Sequence, residues 1–204
     1  AVELLEDESV IGGDNAKKIV HIFSRVISSV TDNPENMNNG RDMGGEVSSA
    51  NSYSTYIVAA MNGDADAQFE VGLMYHDGND GVQQDFAKAY EWYLKAASQG
   101  HAAAQNNLAM MYGRGEFVER DYEKKYEWLM KSAGQGNASA QNNLAMMYDR
   151  GEFVKRDYEK EYEWLMKAAS QGLAGAQNNL AMMYSAGAFV EQDYEKKYEW
   201  LMKA

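Results

Sequence analysis

Three histidines, His21, His76 and His101, are the only imidazoles in the chain, and no two share a position or a spacing that would bring them together. Each is read as a hydrogen-bonded or solvated side chain rather than a general base. Carboxylates such as Glu195 and Glu199 fall one helical turn apart, the spacing of an acid–base pair, but Lys196 and Lys197 lie between them. That mixture describes a solvated charged face. Cysteine is absent, which excludes thiolate nucleophiles, disulfides and thiolate metal sites. No glycine-rich phosphate loop, nucleophile elbow or metal-ligand spacing occurs. The chain is therefore expected to be no enzyme, with no catalytic residue, no metal and no cofactor. The pattern that does recur is a carboxamide pair, Asn106-Asn107, then Asn142-Asn143, then Asn178-Asn179. A carboxamide both donates and accepts. A regular column of them suits the backbone amides of an extended peptide, each bond contributing roughly 0.5–1.5 kcal/mol net.

These pairs belong to a longer repetition. Residues 100–135 return almost unchanged as 136–171 and once more as 172–204, and 63–99 is a divergent copy one residue longer. A fixed period of 36 residues marks a solenoid of stacked supersecondary units. Each unit divides into two helices. Helix A runs from about Ala102 to Tyr112 and stops at Gly115, a residue suited to the left-handed backbone after a helix end. Helix B starts at Asp121, whose carboxylate can cap free N–H groups, and runs to about Ala133. The same marks recur at Gly78 and Asp85, Gly151 and Asp157, and Gly187 and Asp193. Neither helix can bury its apolar side alone, so neighbouring units share one core. Met111, Tyr112, Trp128 and Leu129, recurring at helical spacing, are read as that packing.

Composition sets the limits. The chain has 204 residues, 45% of them hydrophobic, enough for a continuous core. Its net charge is −12, which argues against nucleic acid and anionic membrane and favours a basic or mixed-charge protein partner. No run approaches the ~20 apolar residues of a membrane helix. The chain opens on Ala1, as a processed or truncated product would, and the compartment stays open between bacterial cytoplasm and periplasm or secretion.

Ahead of the repeats, residues 1–14 read as an acidic tail. Residues 15–30 read as an amphipathic helix, its stripe formed by Ile19, Ile22, Phe23, Val26, Ile27 and Val30. It either caps the first repeat or docks in a groove on a partner. Residues 31–52, with the single proline Pro34 and no periodicity, read as a flexible linker. Residues 53–62 resemble the second helix of a repeat, with Tyr56 where Tyr93 stands and Ala59-Ala60 where Ala96-Ala97 stand. They are read as a degenerate half repeat.

The residues Ala104, Leu108, Ala109, Tyr112, Gly115, Val118, Asp121, Tyr122, Lys124, Trp128 and Gly136 resemble the Sel1-like repeat family, which is related to tetratricopeptide repeats. Ala67, Val71, Gly72, Tyr75, Gly78, Val82, Asp85, Phe86, Lys88 and Trp92 repeat the pattern in the first copy. The resemblance implies an all-α, right-handed α-solenoid over residues 53–204, with full repeats at 63–99, 100–135, 136–171 and 172–204. One departure stands out. The family places a small Ala where helix B crosses helix A, as Ala89 does, whereas Lys125, Glu161 and Lys197 follow in later repeats. Either their stems snorkel past the contact or the helices separate slightly. A second departure is that no capping helix follows the fourth helix B, so Tyr198 and Leu201 are expected to be partly exposed.

By the same resemblance, helix A lines a concave wall. The side chains expected there are Asn106, Asn107, Met110 and Arg114, then Asn142, Asn143, Met146 and Arg150, then Asn178, Asn179, Met182 and Ala186. Phe69, Glu70, Leu73 and Asp77 make an acidic, apolar end in the first repeat. The family implies a non-catalytic adaptor that binds a protein or extended peptide. Two other uses fit: an immunity protein that neutralises a secreted toxin, whose basic face the acidic surface would suit, and a structural oligomer that stacks end to end. Against the asparagine column as a binding surface stands duplication. The repeats at 100–135 and 136–171 differ only at His101/Asn137, Ala103/Ser139, Gly113/Asp149, Glu119/Lys155, Lys125/Glu161, Ser132/Ala168 and Gly134/Ser170. Recent copying alone would also leave identical asparagines.

Overall fold

The helix boundaries follow from two residues in each repeat. Asp85, Asp121, Asp157 and Asp193 each accept the backbone N–H three residues on, from Lys88, Lys124, Lys160 and Lys196, at 2.9–3.1 Å. This satisfies a donor that the first turn of a helix leaves free. Gly78, Gly115, Gly151 and Gly187 end the partner helices in the left-handed region, where a side chain would be strained. The computed structural model of the chain describes residues 49–79 and 81–204. Among them are nine helices and no strand: α1 (Ser49–Met61), α2 (Ala65–Asp77), α3 (Phe86–Ser98), α4 (Ala102–Arg114), α5 (Tyr122–Gly134), α6 (Ala138–Arg150), α7 (Tyr158–Ser170), α8 (Ala174–Ala186) and α9 (Tyr194–Leu201). The even-numbered helices are the A helices and the odd ones the B helices. Helix α1 begins at Ser49, four residues before the expected start of the half repeat, so the linker expected over 31–52 gives up its last residues to helix. The expected tail, amphipathic helix and remaining linker lie outside the described residues.

Helices pack most closely against their neighbours in sequence, the arrangement of consecutive helix-turn-helix repeats in an α-solenoid. The core runs across the repeat boundaries as well as within single repeats, where Ala109 meets Leu129 and Ala145 meets Leu165. Ala89, Tyr93, Ala96 and Ala97 of α3 join Ala104, Leu108 and Met111 of α4. Leu129 and Ala133 of α5 join Ala140, Leu144 and Met147 of α6. Leu165, Ala168 and Ala169 of α7 join Ala176, Leu180 and Met183 of α8. Alanines let the helices approach, while leucines and methionines fill the space between them. Tyr198 and Leu201 of α9 are exposed, as expected.

Two polar ladders tie the stack together. Gln68, Gln105, Gln141 and Gln177 are buried, and each Nε2 donates to the carbonyl of the residue eight before it: Ala60, Ala97, Ala133 and Ala169. Gln99, Gln135 and Gln171 donate in turn to Gln68, Gln105 and Gln141 at 2.7–2.8 Å. Tyrosine hydroxyls pair across each step, Tyr53 with Tyr75, Tyr90 with Tyr112, Tyr126 with Tyr148 and Tyr162 with Tyr184. A buried polar group without a partner costs about 1–3 kcal/mol. Each ladder therefore holds one repeat to the next in a single register.

Candidate functional site

The asparagine column does two jobs. Asn143 Nδ2 donates to Asn106 Oδ1 at 3.0 Å, and Asn179 Nδ2 donates to Asn142 Oδ1 at 3.0 Å. Asn106 Nδ2 lies 3.4 Å from Asn107 Oδ1. Part of the donor and acceptor capacity that the sequence offers a peptide is thus engaged between repeats. Asn178 is exposed, and the others are half-buried.

Met110 and Met146 are half-buried and Met182 is 68% exposed, so methionine surface grows along the row. Arg114 and Arg150 reach their own A–B loops, where they meet Glu116 and Glu152 at 3.3 and 3.4 Å. In the first repeat, Phe69 packs on Tyr93 and stacks on His101 with ring centroids 4.5 Å apart, and Leu73 also packs against the core. Glu70 is half-buried. Asp77 is exposed and its carboxylate lies 2.7 Å from His76 Nδ1. His101 Nδ1 accepts the Ala104 N–H and so caps α4. His101 therefore carries its proton on Nε2, 3.3 Å from Asp66.

The row opens into a pocket of about 380 Å³ between α6, α7 and α8. Five of the expected residues meet there, Met146, Arg150, Asn179, Met182 and Ala186, joined by Met183, Leu165, Tyr158, Asp149 and Glu161. The reason for the opening lies in substitutions between repeats. One boundary earlier, Lys125 is 8% exposed and its Nζ meets Glu152 at 2.8 Å. Its stem lies over Gly113, where an added Cβ would come within 2.8 Å of Lys125 Cδ. Lys125 therefore folds into the boundary and is held there by the acid. Burial pushes the Glu152 carboxyl up, but Lys125 and Arg150 outweigh it and hold it below the usual carboxylate range.

At the next boundary the corresponding residues are Asp149, Glu161 and Ala188, with Ala186 where Arg150 would be. Glu161 is only 9% exposed. Burial, together with the nearby Asp149 charge, pushes its carboxyl up to about 7, against the opposing pull of Arg156. The departure from the family alanine thus has two outcomes, a buried ion pair at Lys125 and an open acidic pocket at Glu161.

Sequence reasoning passed over Asp149, Glu161 and Ala188 as site residues. The differences themselves were readable, but that position 125 meets both 113 and 152 was not, since they come from helix B, helix A and the A–B loop of the next repeat. Among the described residues no group of three or more His, Cys, Asp or Glu could hold a metal ion. No described helix is long and apolar enough to cross a membrane.

The chain resembles several solved structures. A protective antigen present in uropathogenic Escherichia coli strains is 35% identical, at a TM-score of 0.69, over 74% of this chain and 32% of that one. A Sel1 repeat protein from Oxalobacter formigenes is 29% identical, at a TM-score of 0.71, over 76% and 63%. An immunity protein from Pseudomonas aeruginosa is 23% identical, at a TM-score of 0.54, over 72% and 54%, and shares the fold. The matched part of this chain spans from about a third to under two thirds of those proteins. No curated protein sequence matches. The Sel1 repeat model matches residues 65–101, 102–137, 138–173 and 174–204, and by those four consecutive repeats the chain belongs to the Sel1 repeat family.

Proposed function

We propose that this chain is a non-catalytic scaffold that binds an extended polypeptide along its A helices. The observation that carries the reading is the pocket between α6, α7 and α8, where Met146, Arg150, Asn179 and Met182 converge at the end of a row begun by Asn106, Asn107, Met110 and Arg114. Adaptable methionines beside fixed polar groups form the kind of surface that accepts side chains of varied shape. A rigid stack also loses little entropy when a flexible segment docks. Selection of a displayed random-peptide library tests this. Peptides enriched on the wild type are expected to bind Met110→Ala/Met146→Ala/Met182→Ala by about tenfold less or worse, at unchanged helicity. Enrichment of nothing, or equal binding to the variant, overturns the proposal.

Neutralising a secreted toxin would be one use of the same surface. Net charge −12 favours a basic partner of that kind. Loss of a partner's enzymatic activity on binding separates this use from that of an adaptor.

A further inference from the structure

We infer that the pocket bounded by Asp149, Glu161 and Ala188 takes a lysine side chain from the bound polypeptide. The inference rests on the scaffold reading and names what one site in it recognises.

The argument comes from comparing three equivalent boundaries within one chain. At the first, position by position, stand His76, Ala89 and Glu116, and His76 Nε2 lies 3.5 Å from Glu116 Oε2. At the second stand Gly113, Lys125 and Glu152, and Lys125 Nζ lies 2.8 Å from Glu152 Oε2. At the first boundary a base from helix A faces Glu116, with Asp77 also 2.7 Å from its Nδ1, and at the second a base from helix B faces Glu152. The third holds Asp149, Glu161 and Ala188, two acids and no base. Neither acidic side chain makes an ion pair or hydrogen bond among the described residues, although Glu161 is nine-tenths buried in the pocket wall.

The cations nearby make their direct contacts elsewhere, although Arg156 still pulls on the Glu161 charge. Arg150 meets Glu152 at 3.4 Å, and Arg156 donates to the Asp149 backbone carbonyl and lies over the Tyr158 ring. The second boundary also shows what an occupant looks like, a four-carbon stem along apolar surface ending in an ammonium on a carboxylate. In the third, Met146, Met182, Met183 and Leu165 offer the apolar wall, and Glu161 with Asp149 the charge. Two carboxylates without further ligands do not make a cage for a divalent metal. They do suit a single ammonium, whose charge-assisted bonds are the strong ones.

Methionine methyl NMR reads the pocket directly, because Met146, Met182 and Met183 line it while Met74 lies in the first repeat. Titration with Nα-acetyl-lysine N-methylamide is expected to shift the three pocket methyls and leave Met74 still. The norleucine counterpart, with the same stem and no ammonium, should bind about tenfold more weakly or not at all. Glu161→Gln should abolish the difference between the two. In Asp149→Gly/Glu161→Lys/Ala188→Glu the second boundary is rebuilt at the third, and this folded variant should lose the lysine response by filling its own pocket. Equal responses to lysine and norleucine compounds, or lysine binding that survives both variants, overturn the inference.

Library-selected peptides keep the two readings apart. Peptides that bind the methionine row without requiring lysine sink the inference and leave the scaffold standing. A lysine response with no selected peptide keeps the pocket and sinks the scaffold. Silence in both overturns both.

Discussion

At the scale of single residues, the most consequential side chain is Glu161. Its carboxyl titrates at about 7 in the folded chain instead of the ordinary 4.5, because it is buried and faces Asp149, with Arg156 pulling the other way and Arg150 and Tyr158 on the same wall. Between those two values the folded chain holds a proton that the unfolded chain has released. Stability therefore falls as pH rises through this window, and the loss is complete above it, on the order of 3 kcal/mol. Glu161→Gln should match the wild type below the window and exceed it above, as urea midpoints taken on each side will show. A wild-type advantage at high pH would mean that Glu161 has an internal cation partner. The sequence displays the exchange of Lys125 for Glu161 but not its burial, since a charge at a helix position normally reads as solvated. The same limit hid Phe117, Phe153 and Phe189. All three sit at φ 62–65 and are more than half exposed, beside Tyr90, Tyr126 and Tyr162. No local pattern predicts a phenylalanine in the left-handed region.

Helices come next, and here the sequence reads well. Asp before helix B and Gly after helix A place the ends of α4 and α5 to within about two residues, because capping is local chemistry. What crosses between helices is less visible. In the first repeat Gly72 of α2 faces Tyr93 of α3, and an added Cβ would come within 2.6 Å of the ring. Later repeats place Ala109 and Ala145 against Leu129 and Leu165 instead. A small residue thus accompanies a large ring, and a larger one accompanies a leucine. Gly72→Ala alone is expected to lose about 1–3 kcal/mol by overpacking. Adding Tyr93→Leu should recover most of that loss, since later repeats pair an alanine with a leucine at these two positions. Thermal denaturation of the two single variants and the double variant closes the cycle, and additive losses would refute the pairing.

For the molecule as a whole, the 36-residue period was enough to give the solenoid, since stacking is the only way such helices can bury their apolar faces. The binding row was half readable. Its residues recur in the sequence, but the bonds from Asn143 to Asn106 and from Asn179 to Asn142 show that recurrence also serves cohesion. Near-identity raises a further problem for a folding chain. The repeats at 100–135 and 136–171 differ at seven positions, so the chain has little to tell one from the other. Were the third repeat looped out and the second stacked on the fourth, Lys125 would face Ala188 in place of Glu152, an ammonium shut in without its acid. We expect the Lys125–Glu152 pair to act as a registry mark. Glu152→Ala should then refold from urea with an added slow phase, the trapped misassembly to which repeat proteins are prone. Unchanged single-phase refolding would show that the order of the repeats is secured by other means. The charge that closes one boundary, and whose exchange opens the next, thereby also numbers the repeats for the chain as it folds.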